Sequence, residues 1–302
     1  MKALVTGAEG FLGANLCKEL IAQGHEVTGT SLNRTKHTSL DALSVNCRIE
    51  YGDVTDPAFV DRVINSSEAD WVFHLAAVSI VRIANALPAR TLQTNIMGTV
   101  NVVDACQRMH VKRVLVASSD KAYGDHGGLP YTEDMALKPT GAYEVSKTCA
   151  DHIGMLYGAT VVRCANLYGP ADLNWSRLIP NSCRLALRGE APRIYGDAVN
   201  DKREWIYVQD AVNAYIHLAK HGEAGAYNVG SNWQMSPLGV ADVITSMLHT
   251  SIPEVVEKER KFYEIPTQAL DCTKIISTGW QPEFDIYQGL MQTVNWYQVY
   301  LQ

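Results

Sequence analysis

Apolar residues cluster in short unbroken runs through the first half of the chain, in KALVTG, HEVTGTS, CRIEYGDV, WVFHLAA and RVLVASS. Segments of helical length separate them. Runs of this kind fit strands covered on both faces, as in a parallel sheet whose crossovers are helices. Segment 11–23 reads as a helix stopped by Gly24. Segments 90–109 and 141–157 read as two longer helices. ATVVRCANLYGP (159–170) reads as a sixth strand that leaves the sheet through a Gly-Pro turn. From residue 171 the alternation breaks up into short mixed elements, with five of the six Trp and with turns at Gly189, Gly196, Gly225 and Gly230. The pattern predicts an α/β fold: a doubly wound parallel sheet over 1–170, and a smaller C-terminal lobe over 171–302 with segments returning to the first domain.

Composition narrows the class. A chain of 302 residues, 47% hydrophobic, suits one large core with an attached lobe. No stretch approaches the ~18 uninterrupted apolar residues of a membrane span. MKALVTGAEG enters a strand at once, without the apolar region of a secretory signal, so the expectation is a soluble cytoplasmic protein with no membrane partner. The net charge is −6 and the basic residues are scattered, which argues against nucleic acid. Of the seven cysteines, Cys17, Cys106, Cys149, Cys164 and Cys183 fall in apolar or helical settings. There is no CxxC and no metal-ligand spacing, so reduced thiols and no metal site are expected.

LVTGAEGFLGANL spaces Gly7, Gly10 and Gly13 between a strand and a helix, the setting of a dinucleotide-binding loop. Gly7 suits the tight turn, Gly10 the close approach of a pyrophosphate to the helix N-terminus, and Gly13 the packing of helix on strand. The first domain then reads as a Rossmann unit. An acid at the end of the second strand would bind an adenosine 2′-hydroxyl and signal NAD. Here GTSLNRT offers Ser31, Asn33 and Arg34 instead. Arg34 suits a 2′-phosphate or is simply a solvated charge; NAD and NADP both stay open, with the balance towards NADP. Asp53 in YGDVTD reads either as an acceptor for an adenine amino group or as a turn-former.

GAYEVSKTCADH places Tyr143 and Lys147 four residues apart on one helix face. A phenol near pKa ~10 is a weak base at neutral pH until cations stabilise the phenolate. A neighbouring ammonium and an oxidised nicotinamide are such cations, and the Tyr then takes a proton from a sugar hydroxyl. SSDK, at the end of the preceding strand, puts Ser119 where it can hydrogen-bond the same oxygen.

Taken together, TGAEGFLG, GDVTD, FHLAA, TNIMGTVNVVDAC, SSDKAYG, YEVSK, RCANLYGP and REWIYVQDAV resemble the extended short-chain dehydrogenase/reductase family of nucleotide-sugar epimerases and dehydratases. The motifs cover residues 1 to about 235 in family order, and STGWQP looks like the closing segment. The resemblance implies a tightly bound, recycled nicotinamide cofactor lined by the glycine loop with Phe11 and Leu12, by Asp53 and Val54, and by Leu75, Ala76 and Ala77. Asn95 would support the catalytic Lys. Ser119, Tyr143 and Lys147 would form the catalytic triad. Asn166 and Arg203 would hold the diphosphate of a nucleotide-sugar substrate, Arg203 bidentately. A surface ion pair of Arg203 with Glu204 or Asp201 is the alternative.

Family members oxidise the sugar at C4, and the later steps depend on groups near C5 and C6. A 4,6-dehydratase needs an acid near O6 and a base near C5, and Asp120 and Lys121 occupy those two positions. The Asp-Lys pair, the segment holding Ser79 and Arg82, and RLIP look like the CDP-glucose 4,6-dehydratase branch. VTGTSLNRT and the compact C-terminus look like the GDP-sugar 4,6-dehydratase/4-keto reductase branch. Lys121 serves either as a neutral base or as a cation beside a developing enolate. The leading expectation is a nucleotide-sugar 4,6-dehydratase. Its rivals are a C4 epimerase or 4-keto reductase, in which Asp120 and Lys121 make only a salt-bridged turn, and a non-catalytic NAD(P)-binding sensor. NIMGTVNVVDAC is apolar around much of its helix, which with the family resemblance predicts a homodimer through 90–109 and 141–157.

Overall fold

A computed structural model describes residues 1–196, 199–256 and 265–302. Its strands are β1 (Lys2–Thr6), β2 (Glu26–Ser31), β3 (Arg48–Tyr51), β4 (Trp71–His74), β5 (Arg113–Ala117), β6 (Thr160–Cys164), β7 (Asn166–Tyr168), β8 (Arg193–Tyr195), β9 (Arg203–Tyr207), β10 (Gly225–Val229), β11 (Gln234–Met235) and β12 (Glu254–Val256). Seven of them form a parallel sheet in the order β10-β6-β5-β4-β1-β2-β3.

The apolar runs are explained by burial on both faces. Val5 and Phe73 join a large core with Leu16 and Leu20 of the helix Phe11–Ala22 and with Val212, Tyr215 and Leu218 of the helix Val208–His221. Their chain neighbours Leu4 and Val72 point the other way. They pack with Phe59, Val60 and Val63 of the helix Pro57–Ser67 and with Val102 and Cys106 of the helix Gly98–Arg108. Alternation along β1 and β4 therefore feeds two cores, whereas the edge strand β3 leaves Arg48 and Tyr51 exposed.

The sheet draws on both halves of the chain. β10, which opens at Gly225 where a turn was expected, pairs in parallel with β6. The expected sixth strand divides at Ala165: β6 stays in the main sheet, whereas β7 pairs in parallel with β9 in a three-stranded sheet, β11-β9-β7. β8 and β12 form a separate pair. The helix expected over 90–109 is also divided. An α-helical turn, Pro88–Leu92, leads into a π-helical turn, Gln93–Met97, before the α-helix Gly98–Arg108. The wide turn carries Asn95, which is 2% exposed and points inward. The helix expected over 141–157 spans Ala142–Leu156.

Candidate active site

The C-terminal ends of β1, β4, β5 and β6 open on one side of the sheet. With residues of the segment 172–180 and of β9 they line a cavity of about 1150 Å³. β1 lies between β4 and β2, where the strand order reverses, the place at which doubly wound sheets hold ligands.

Each glycine of the loop answers a different demand. Gly7 has φ +72°, and a Cβ there would stand 3.0 Å from the Ala76 backbone. At Gly13 a Cβ would fall 2.2 Å from the Gly7 carbonyl oxygen. Gly10 has an ordinary backbone, φ −77°, and a Cβ would meet only that same carbonyl, at 3.2 Å. The side chain missing at Gly10 leaves the cavity open. Gly10 also caps the helix Phe11–Ala22 with no side-chain hydrogen bond, so the first-turn amides face the cavity unclaimed by a cap. The Ser118 hydroxyl is buried in the lining of the same cavity with no partner among the described residues. A free anion-binding helix start and a partnerless hydroxyl fit a nicotinamide dinucleotide.

Phe11, Leu12, Leu75, Ala76, Ala77, Ser79 and Arg82 also line the cavity. Ser31, Asn33 and Arg34 lie outside its lining, the last two exposed to solvent. Asp53 is exposed too, and its carboxylate accepts the Thr55 N–H at 2.9 Å, as a turn-forming Asp does. Val54 is buried in the second core, and its carbonyl accepts from Asn101 Nδ2 at 3.0 Å.

A buried chain of hydrogen bonds ties these walls together. The Thr6 hydroxyl accepts the N–H groups of Leu75 and Ala76, both at 3.1 Å, and bonds His74 Nδ1 at 2.9 Å. His74 Nε2 meets the Thr99 hydroxyl at 3.1 Å, and that hydroxyl donates to the Asn95 carbonyl at 2.6 Å. Burial and the nearby Lys147 ammonium push the His74 pKa down to about 3, so the ring is neutral. Thr99 spends its proton on Asn95, so His74 must donate through Nε2 and accept from Thr6 through Nδ1. The Asn95 side chain accepts from Val78 N at 2.7 Å and donates to Val78 O and to Ser146 Oγ, at 3.2 and 2.9 Å. Asn95 thus holds the helix Ala142–Leu156 through Ser146, one residue before Lys147.

Lys147 donates to the Ala117 carbonyl at 2.9 Å, and burial lowers its pKa to about 8. The Tyr143 phenol lines the cavity and is pushed up to about 12 by burial. Ser119, within hydrogen-bonding reach, and the Arg177 guanidinium favour its ionised form. Asp120 is 3% exposed, and burial raises its carboxyl above the ordinary range. Its two oxygens accept from Ser119 Oγ at 3.0 Å and Gln268 Nε2 at 3.1 Å. Lys121 lines the cavity beside it, and among the described residues no ion pair within 4 Å joins the two. The Ser119 hydroxyl in turn accepts the Lys121 N–H at 3.2 Å and starts the 3₁₀ turn Asp120–Tyr123.

Asn166 lines the cavity and donates to the Glu204 carbonyl at 3.1 Å. Arg203 is buried, pairs with Asp201 at 2.9 Å rather than with Glu204, and donates to Gln268 Oε1 at 2.8 Å and to the Ile265 carbonyl. Glu204 turns away and accepts backbone N–H groups of Ser231, Asn232 and Leu270. Burial pushes it up to about 7. Three side chains at this site were given no role by sequence reasoning: Arg177, the first residue of RLIP, which lines the cavity over the Phe11 ring; Asp172, its ion-pair partner at 2.5 Å; and Gln268. None sits at a diagnostic spacing from the motif residues.

Residues 3–230 match the family described as "NAD dependent epimerase/dehydratase family". The chain belongs to that family. A dTDP-glucose 4,6-dehydratase of Shigella flexneri is 30% identical over 340 residues, covering 98% of this chain and 92% of the relative. Among solved structures, the UDP-glucose 4-epimerase of Thermotoga maritima, with UDP-glucose, superposes with a TM-score of 0.91 at 26% identity and full coverage of both chains. DesIV, a dTDP-glucose 4,6-dehydratase of Streptomyces venezuelae solved with NAD bound, gives 0.89 at 26% identity, covering 99% of this chain and 97% of that one. This member of the family thus has both dehydratases and epimerases as relatives, and the three compared above are named for dTDP- or UDP-glucose. The NAD-bound relative does not support the balance towards NADP. Among the described residues no helix is long and apolar enough to cross a membrane and no cluster of side chains suits a metal ion.

Proposed function

We propose that the chain is a nucleotide-sugar 4,6-dehydratase. The observation that carries the reading is Asp120: a buried carboxyl on the cavity wall, biased towards its protonated form, one residue from Ser119. An epimerase has no use for such a proton, whereas expelling water from C6 requires one. The residues 1–170 would hold the dinucleotide, with Gly7, Gly10 and Gly13 around its pyrophosphate, and 171–302 most of the sugar nucleotide. A nicotinamide dinucleotide bound there, NAD by likeness to DesIV, supplies the hydride acceptor and donor.

Tyr143 takes the proton of the sugar C4 hydroxyl, with Ser119 hydrogen-bonded to the same oxygen. Lys147, anchored on the Ala117 carbonyl, adds positive charge close to the catalytic helix. Asp120 donates a proton to the departing O6 hydroxyl. Lys121 takes the C5 proton as general base, and the ammonium so formed stabilises the enolate. Arg203, Asn166, Arg82 and Ser79 hold the substrate side of the cavity.

The test is incubation with a panel of dTDP-, UDP-, CDP- and GDP-sugars, followed by mass analysis. A 4-keto-6-deoxy product carrying deuterium at C5 after reaction in heavy water supports the reading. The likeness to the Thermotoga maritima enzyme favours a second one, C4 epimerisation. Inversion at C4 without solvent label would establish it and overturn the first.

A further inference from the structure

Gln268 is fully buried, 148 residues along the chain from Asp120 and 65 from Arg203, and it touches both. Its backbone is fixed independently of its side chain. Gln268 N donates to the Lys202 carbonyl at 2.9 Å, and the neighbouring Ala269 carbonyl accepts from Tyr131 N at 2.9 Å. The orientation of the amide is dictated by its neighbours. A guanidinium can only donate, so Arg203 must face Oε1, and Nε2–H is left for Asp120 Oδ2. The bridge is therefore polar in one sense only: guanidinium to amide oxygen, amide hydrogen to carboxyl.

We infer that Gln268 is a positioning residue which fixes the Asp120 carboxyl for proton donation and couples it to Arg203 on the substrate side of the cavity. The inference rests on the dehydratase reading of Asp120. A buried carboxyl without its second donor would gain freedom to rotate and would hold its proton more tightly, because a hydrogen bond to the charged form favours that form. Arg203, without its amide acceptor, would lose one of the contacts that set its position in the wall. Among the described residues, the other charged or titratable groups around Asp120 are Lys121 on its own turn, Tyr143 on the helix Ala142–Leu156, Arg203 and Glu204 on β9, and Cys164 at the end of β6. None of them makes the same bridge.

Gln268→Met keeps the volume and removes both polar atoms. Gln268→Glu keeps an acceptor for Arg203 and can donate to Asp120 only when protonated. With the holoenzyme and its sugar nucleotide, Gln268→Met should retain cofactor, and its rate of water loss at C6 should fall at least ~10-fold relative to its rate of C4 oxidation. Gln268→Glu should recover water loss as the pH falls. The Asp120 carboxyl, followed by ¹³C NMR and assigned by its loss in Asp120→Asn, should titrate about one unit higher in Gln268→Met. An unchanged titration midpoint together with an unchanged ratio of C4 oxidation to water loss overturns the inference. The NMR midpoint needs no turnover. If wild type makes no 6-deoxy product, the dehydratase reading fails, while the midpoint still reports whether Gln268 governs this carboxyl.

Discussion

Replacing Asp120 with Asn keeps the side chain's shape and removes its proton. The amide can still accept from Gln268 Nε2 and can donate to the Ser119 hydroxyl, so packing should survive. We expect Asp120→Asn to oxidise C4 and then stall, with reduced cofactor building up as nicotinamide absorbance and 6-deoxy product falling by a factor of about 10² or more. Stability should move the other way. The Asp120 pKa is raised in the folded state, so the native protein binds this proton more tightly than the unfolded chain does. That term favours folding at low pH and is lost as the pH rises past the ordinary carboxyl range. At pH 8 thermal melting of Asp120→Asn should therefore occur above that of wild type, and the gap should close towards pH 4. Tyr143→Phe should cut turnover by about 10² or more with cofactor content intact, because the Tyr143 oxygen serves to accept the C4 hydroxyl proton and makes no packing contact that Phe lacks. At this scale the sequence was informative where chemistry repeats at fixed spacing: Tyr143 and Lys147 on one helix face, Asp120 at a strand end. It was silent on Gln268, whose two partners meet it only in the folded chain.

The glycine loop separates binding from folding. Gly10→Val meets little protein and fills the cavity, so the purified variant should be folded and free of cofactor, as absorbance after denaturation would show. Gly13→Val drives carbon into the Gly7 carbonyl with no flexible side chain to yield, and should cost about 3 kcal/mol or more of stability by denaturant unfolding. The sequence assigned the two glycines different duties, a close approach and helix–strand packing, but spacing records neither the atom that stands opposite each residue nor its distance. The same limit applies to longer elements. Apolar periodicity located the helix over 90–109 but not its π-helical turn, since one wide turn scarcely disturbs the pattern while it carries Asn95 inward. Likewise the run 159–170 is apolar throughout, although Ala165 hands the chain from one sheet to another: both sheets bury their strands, and burial is all that the run encodes.

For the whole molecule, the apolar helix that suggested a dimer is largely consumed within the subunit. Val102, Ala105 and Cys106 pack in the second core, and Val103 in a third with Val116 and Val161. What remains outside is a smaller patch leading into that helix: Ile83, Leu87 and Met97, each more than two-fifths exposed. We expect a homodimer through this face and the helix Ala142–Leu156, seen as twice the chain mass by light scattering at micromolar concentration. Met97→Lys should shift it towards monomer.

The seventh strand of the main sheet is made late. β6 leaves the ribosome long before β10, and until residue 229 has emerged its outer edge carries unpaired amides and carbonyls that nothing later than β5 covers. Val161 and Val162, fully buried in the finished protein, stay half-clad through the synthesis of some sixty further residues. The first 170 residues are thus no self-sufficient fragment during biosynthesis. A message truncated anywhere between β7 and β10 should yield aggregates or chaperone-bound chains rather than a small dinucleotide-binding protein.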